Sequence, residues 1–231
     1  MIAAFVNAGV VVLGGLLGLL LGSRLKEDFT KTIVTALGIC TMVIGISSAI
    51  ATEDVILMIV SLVIGIVIGQ LLKIEHTLDA VGDQLKAKVA KNDGGRFTEG
   101  FVTASLLFCV GSMAVLGSFD AGVRGDYTTI FAKSALDFMM AMTFAATMGV
   151  GVLFSGLTIL VYQGALTLLA SVIEPYLSRE MLTEMNAVGG VMLIATGMNV
   201  MGLHKERIQV GNMLPALLVP VVWFWLRQLL G

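Results

Sequence analysis

Lys133 and Asp137 stand four residues apart in the apolar stretch TTIFAKSALDFMM, a spacing that places both on one face of a helix. An ammonium and a carboxylate at membrane depth are expensive, and where they occur they mark a solute path, a proton relay or a gate. The plainer reading is an interfacial pair near the outer surface, where an ion pair is worth about 0–1 kcal/mol. Lysine ahead of aspartate is the weaker order for a local helical pair, so each residue is expected to seek a partner on another helix. Further polar choices gather nearby. The preceding apolar run carries Ser105, Cys109 and Ser112; Glu99 stands at its start, where a carboxylate suits the positive end of a helix and capping is the competing role. The amides Asn7, Gln163, Asn186, Asn199 and Asn212 and the hydroxyl of Ser47 lie in or beside other apolar runs, with Asn199 and Gln163 deepest among apolar neighbours. Such groups either replace the hydration of a small polar solute or bond from helix to helix, at about 1 kcal/mol or less each. The candidate path is Lys133, Asp137, Gln163, Asn199, Asn7, Ser105, Ser112 and Glu99, centred on Phe97 to Met140.

The elements that would hold these residues are membrane spans. Of 231 residues, 57% are hydrophobic and 13% charged, with a mean hydropathy of +0.97, against roughly 45–50% apolar and 25% charged in a soluble domain. Apolar runs long enough to cross a hydrocarbon core of about 30 Å recur along the chain. They lack the in/out alternation of a barrel strand. The expected fold is all-α: a polytopic transmembrane bundle of eight spans, or seven if the break between the fifth and sixth is misplaced, forming one integral membrane domain over residues 1–231. The spans are expected at about Ile2 to Leu21, Thr32 to Ala51, Val55 to Leu72, Phe97 to Gly117, Thr128 to Gly149, Gly156 to Ile173, Asn186 to Leu203 and Val210 to Leu226. Ser118 to Tyr127 reads as a Gly-rich loop. In residues 73–91, Ile74, Leu78, Val81, Leu85 and Val89 recur at three- and four-residue steps among charges. That is an amphipathic cytoplasmic helix, continuing the third span or lying on the surface.

Gly14, Gly18 and Gly22 in the first span, and Gly65 and Gly69 in the third, have G-x-x-x-G spacing, which lets two backbones approach closely. They serve packing within one chain or contact in a homo-oligomer. Gly38 and Gly45 in ALGICTMVIGISS, and Gly190 and Gly197 in VGGVMLIATGMNV, are both seven apart, each following an Arg-led polar segment. If spans one to three correspond to spans six to eight, the two units are inverted, and secondary transporters place their site at such a repeat interface near the midplane. Chance similarity is the competing account, since glycine is frequent in membrane helices.

Orientation follows the bias of lysine and arginine to the cytoplasmic side. With the N-terminus outside, Arg24, Lys26, Lys31, Lys73, Lys86, Lys88, Lys91, Arg96, Lys205 and Arg207 lie inside, leaving Arg124, Lys133, Arg179 and Arg227 on the other face. Both termini are then outside. The opening MIAAFVNAGV has no positive leader segment, so the first helix is expected to stay in the mature chain.

The stretches LLFCVGSMAVLGSFDAGVRGDYTTIFAKSALD, VYQGALTLLA, NAVGGVMLIATGMNVMG and GNMLPALLVP together resemble the bacterial YqgA/YdfK-like inner-membrane proteins, a family of unknown function, over essentially the full length. The resemblance implies a polytopic protein of the bacterial inner (plasma) membrane. It brings no substrate or catalytic residue to carry over.

Other chemistry is weakly supported. A net charge of −2 without a basic cluster gives no grip on a phosphate backbone, so no nucleic-acid partner is expected. Cys40 and Cys109 fall inside apolar helices and read as small core residues. The 14 methionines invite a copper(I) reading, but they lack companion Cys or His and fill apolar gaps. His76 and His204 lack metal-site spacing, and there is no P-loop or G-x-S-x-G. No metal, cofactor or catalysis is expected. Three functions remain: a transporter or channel for a small solute or ion, a scaffold or regulatory protein assembling through glycine-rich faces, and, least favoured because no nucleophile with base or carboxylate with histidine appears at membrane depth, an intramembrane enzyme.

Overall fold

The structure, a computed structural model, describes residues 1–22, 27–89, 96–109, 112–173 and 178–230. It is helical throughout, with no strand among the described residues. The helices are α1 (Ile2–Gly22), α2 (Glu27–Ala49), α3 (Val55–Leu72), α4 (Ile74–Val89), α5 (Arg96–Cys109), α6 (Ser112–Phe119), α7 (Thr128–Met148), α8 (Gly151–Ile173), α9 (Arg179–Met201) and α10 (Val219–Leu230). A π-helical turn (Asp120–Arg124) extends α6, and a 3-10 helix (Val210–Leu218) leads into α10. Among the described residues, seven helices are long and apolar enough to cross a membrane; α5 and the following helix, whose axes differ by 76°, make an eighth if counted as one bent span.

Helix ends follow local chemistry. Asp54 accepts from the Leu57 amide at 2.9 Å and caps α3. Lys73 closes that helix in the left-handed region at φ 53°, so α4 is a separate helix and not a continuation of α3. Asp126 accepts from the Thr128 amide at 2.9 Å ahead of α7. The Thr128 side chain and backbone hydrogen bonds hold the Asp126 carboxyl below the usual carboxylate range.

Several expected boundaries move. The expected fourth span is described as two helices, α5 and α6, on either side of residues 110–111, which lie outside the described residues. At 14 residues, α5 is about 21 Å long, too short alone for a hydrocarbon core of about 30 Å. The expected loop from Ser118 is mostly helical, because Arg124 reaches Asp120 at 3.0 Å along the π turn and only Gly125, at φ 65°, ends it. The α7/α8 break falls at Gly149, φ 86°, so α8 begins earlier than Gly156. Ser178 caps α9 by accepting from the Met181 amide at 3.1 Å, drawing the polar SREMLTE segment into the helix. Pro215 lacks an N–H to donate and sits inside the 3-10 stretch.

The chain forms two compact units. In the first, which holds α1, α5, α7 and α8, the glycine row of α1 meets α7 in constant register. Gly14, Gly18 and Gly22 lie on the backbone carbonyls of Phe138, Met142 and Ala146, so the two helices run parallel and a side chain at any of the three would overlap α7. Gly15 abuts Leu153 while Gly156 abuts Ala8 and Val12, so α8 runs antiparallel to α1. In α5, every residue from Gly100 to Phe108 is buried, a pattern suited to packing against helices and not to facing lipid.

The second unit holds α3, α9, the 3-10 helix, α10 and the later part of α2. Gly38 faces Gly197 and Gly45 faces Gly190, an antiparallel contact in which each glycine of one pair meets a backbone oxygen of the other helix. The matching seven-residue spacing noticed in the sequence is therefore a contact register. Gly65 and Gly69 pack on Ala216 and Asn212 of the 3-10 helix, again antiparallel.

Candidate functional site

Four of the residues singled out by type come together in the first unit. Asn7 of α1 and Gln163 of α8 have no exposed surface, and Lys133 and Asp137 of α7 are 6% and 5% exposed. Helical geometry places the acid deep: Asp137 lies nine residues from the start of α7 and eleven from its end, about 14 and 17 Å at 1.5 Å per residue. Gln163 is similarly central in α8.

The Lys133 ammonium pairs with Asp137 Oδ2 one turn along α7. The Phe108 ring of α5 lies 5.9 Å from Lys133 Nζ, within reach of a cation–π contact. Asp137 Oδ2 also accepts from Asn7 Nδ2 at 3.0 Å, and Asn7 Nδ2 donates again to Gln163 Oε1 at 3.1 Å. The order of these bonds fixes both amides. A carboxylate accepts only, so Asn7 must turn its NH2 toward Asp137; Gln163, facing the same NH2, must turn its oxygen inward. The consequence is two buried polar atoms with no partner among the described residues, Asn7 Oδ1 and Gln163 Nε2. A buried orphan acceptor beside a buried orphan donor, next to a carboxylate and an ammonium, is costly as a purely structural device. It is the arrangement expected of a site that receives something.

The glycine row of α1 continues toward this site with larger residues. Along the same i, i+4 line, Val10 and Val6 stand where Gly14 and Gly18 stood. There the seam between α1 and α7 opens as an apolar groove of about 460 Å³, with Val6, Val10, Ser134 and Phe138 among its walls. The Ser134 hydroxyl is turned to the Ile130 carbonyl at 2.8 Å, so it adds no free polar group to that groove.

The remaining candidates lie elsewhere. Ser105 shares a 3.0 Å hydrogen bond with Thr158, joining α5 to α8. Glu99 is exposed in the first turn of α5, where a carboxylate complements the helix end. The Ser112 side chain lies outside the described residues. Asn199 is in the second unit, where its amide donates to the Ile208 carbonyl and accepts from the Ile208 amide, both at 2.8 Å; it clamps the turn after α9.

Two further acids are buried in the second unit, Glu184 from the polar segment before the seventh expected span and Glu75 from the amphipathic helix. Glu184, 1% exposed in α9, accepts from the Thr52 hydroxyl at 2.6 Å and from the amides of Glu53 and Asp54 at 2.7 and 3.1 Å. Glu75, 6% exposed, accepts from the Gly211 amide at 2.5 Å and meets Arg207 at 3.2 Å. In the same cluster, Asn212 Oδ1 accepts from the Glu75 amide at 2.9 Å and its NH2 donates to Gln70 and Gln209. Glu75 counts among the charged residues of the amphipathic 73–91 helix, and nothing in that pattern marks it for burial. Both clusters fix turns and helix ends in the second unit. Among the described residues, no group of three or more His, Cys, Asp or Glu gathers where a metal ion would sit.

Comparison with known proteins finds relatives that match over nearly the whole chain. It is 33% identical over 222 residues to the uncharacterized protein YqgA of Escherichia coli (strain K12), covering 94% of each chain. It is 29% identical over 235 residues to the uncharacterized membrane protein YdfK of Bacillus subtilis (strain 168), covering 100% of this chain and 99% of the relative. No solved structure matches. The family model described as "Protein of unknown function (DUF554)" matches residues 2–225, and with these apolar helices the chain is a multi-pass membrane protein belonging to that family.

Proposed function

We propose that this protein is a transporter or channel for a small solute or ion, resident in the bacterial inner membrane with its N-terminus outside, and that passage runs through the Asn7–Lys133–Asp137–Gln163 cluster. The observation that carries the reading is the pair of orphan polar atoms, Asn7 Oδ1 and Gln163 Nε2, buried beside an ion pair at mid-helix depth. A charge pair held only for stability is poorly motivated, because an apolar replacement of similar volume is often neutral or stabilising.

The helix directions support an inverted arrangement. α1 runs antiparallel to α8, α2 to α9, and α3 to the 3-10 segment before α10, each pair in contact within its own unit. Within its own unit, each of spans one to three thus runs opposite in direction to the span expected as its counterpart, which is the direction an inverted repeat requires. The scaffold alternative is weakened by the same packing. Gly14, Gly18 and Gly22 are covered by α7, and Gly65 and Gly69 by the 3-10 helix, so neither row is free to join a second copy. The reading gives the chain no catalytic step.

The test is flux in proteoliposomes across a panel of ions and small polar solutes, with Asp137→Asn and Lys133→Met beside the wild type. Transport predicts movement of at least one member and its loss in Asp137→Asn. Wild-type protein that moves none of the panel contradicts the proposal.

A further inference from the structure

The geometry points to a monovalent cation as the species received, taken up at Asp137 in exchange for the proton of Lys133. This rests on the transport reading and deepens it. The site holds one carboxylate and one ammonium in contact, so its resting charge is zero. Asn7 Oδ1, buried and without a partner among the described residues, is the carbonyl oxygen of the same amide whose Nδ2 lies 3.0 Å from Asp137 Oδ2. A carboxylate and an amide oxygen are hard donors suited to an alkali cation. For that ion to bind, the ammonium must leave Asp137, and a buried ammonium without a counter-ion is strongly disfavoured. Giving up its proton resolves this. One N–H bond of Lys133 breaks, the electron pair stays on Nζ, the proton passes to water, and the cation takes the vacated place at the Asp137 carboxylate. The site is neutral before and after. A divalent ion would leave it at +1, and an anion would find the orphan acceptor Asn7 Oδ1 repulsive.

The groups around Lys133 and Asp137 come from α7 itself and from the helices packed against it. On its own helix it faces Asp137; from α5 it faces the Phe108 ring and the Cys109 thiol, which also faces Asp137. From α8, Tyr162 stands by Cys109 and Gln163 by Asn7, and α1 contributes only the neutral Asn7. A second carboxylate to stabilise the ammonium is not among these groups.

The test uses the purified full-length chain in detergent, lightly buffered with a pH-reporting dye and titrated with NaCl, KCl or choline chloride. The expected result is release of about one proton per chain with sodium or potassium and none with choline, and a half-saturating concentration that rises about tenfold for each unit the pH is lowered, as one-for-one linkage requires. Lys133→Arg keeps a permanent charge and is expected to abolish release in a folded protein; Lys133→Met is expected to bind the cation without release. Cation binding with no proton release in the wild type, or no response to either salt, overturns the inference. If a solute moves in proteoliposomes but neither salt releases a proton, the inference falls and transport stands. If protons are released but nothing crosses, the exchange stands and transport falls.

Discussion

The side-chain amide of Asn7 on α1 donates to Asp137 Oδ2 on α7 at 3.0 Å, joining residues 130 positions apart. The same NH2 serves Gln163, so one short side chain ties three helices together. Asn7→Ala would leave Gln163 Oε1 without its donor and Asp137 with Lys133 alone. The expected loss is about 1–3 kcal/mol, the cost of stranding a buried polar group. Thermal unfolding in detergent reads it, and an unchanged midpoint would mean the amide is dispensable.

Gly18 lies on the Met142 carbonyl, whereas nothing approaches within 4 Å of the position a Cβ at Gly9 would take. Gly18→Leu is expected to destabilise the chain by about 1–3 kcal/mol through overpacking, and Gly9→Leu to be near neutral. Comparison of the two melting curves in mild detergent checks this. Equal curves would place the glycine row outside the packing seam.

Glu184 is bonded by one hydroxyl and two amides at the α2–α3 turn. Glu184→Gln removes the charge and turns one acceptor into a donor facing donors, at an expected cost of about 1–3 kcal/mol. Hydrogen exchange at Thr52, Glu53 and Asp54 is expected to quicken with it. Unchanged protection there would show that the turn holds without the carboxylate.

The parallel register of α1 and α7 requires an odd number of crossings between them. If α2 and α3 each cross once, α5 and α6 together supply the third crossing, and the expected topology is eight spans with both termini on one side. Thiol labelling of single cysteines placed at each end, in a background lacking Cys40 and Cys109, is expected to report the same side. Opposite sides would make the α5–α6 segment re-entrant.

How much was readable before the structure depends on the range of the interaction. The spans were legible because lipid demands long apolar runs, and Lys133 with Asp137 stood out because two charges interrupt one such run. Asn7 and Gln163 were visible as amides, but their meeting, 156 residues apart, is a product of packing that periodicity does not encode. Asn199 had the same composition signal and a different fate, because its partner Ile208 lies just beyond the helix end. The paired glycines of α2 and α9 carried a true regularity whose physical cause, Gly45 against Gly190, is tertiary. Glu184 was hidden by its polar neighbours, since an acid in a charged segment gives no sign that it will be buried.

Passage through the cluster, buried as it is here, requires a state open to water on each side of the membrane. Gln163→Cys and Asn7→Cys, each in a chain lacking Cys40 and Cys109, expose this to a membrane-impermeant thiol reagent applied from either face of sealed vesicles. Modification from both faces, slowed by the transported species, is the predicted result. A thiol at either position that stays unmodified from both faces, in protein that remains folded, would contradict the account.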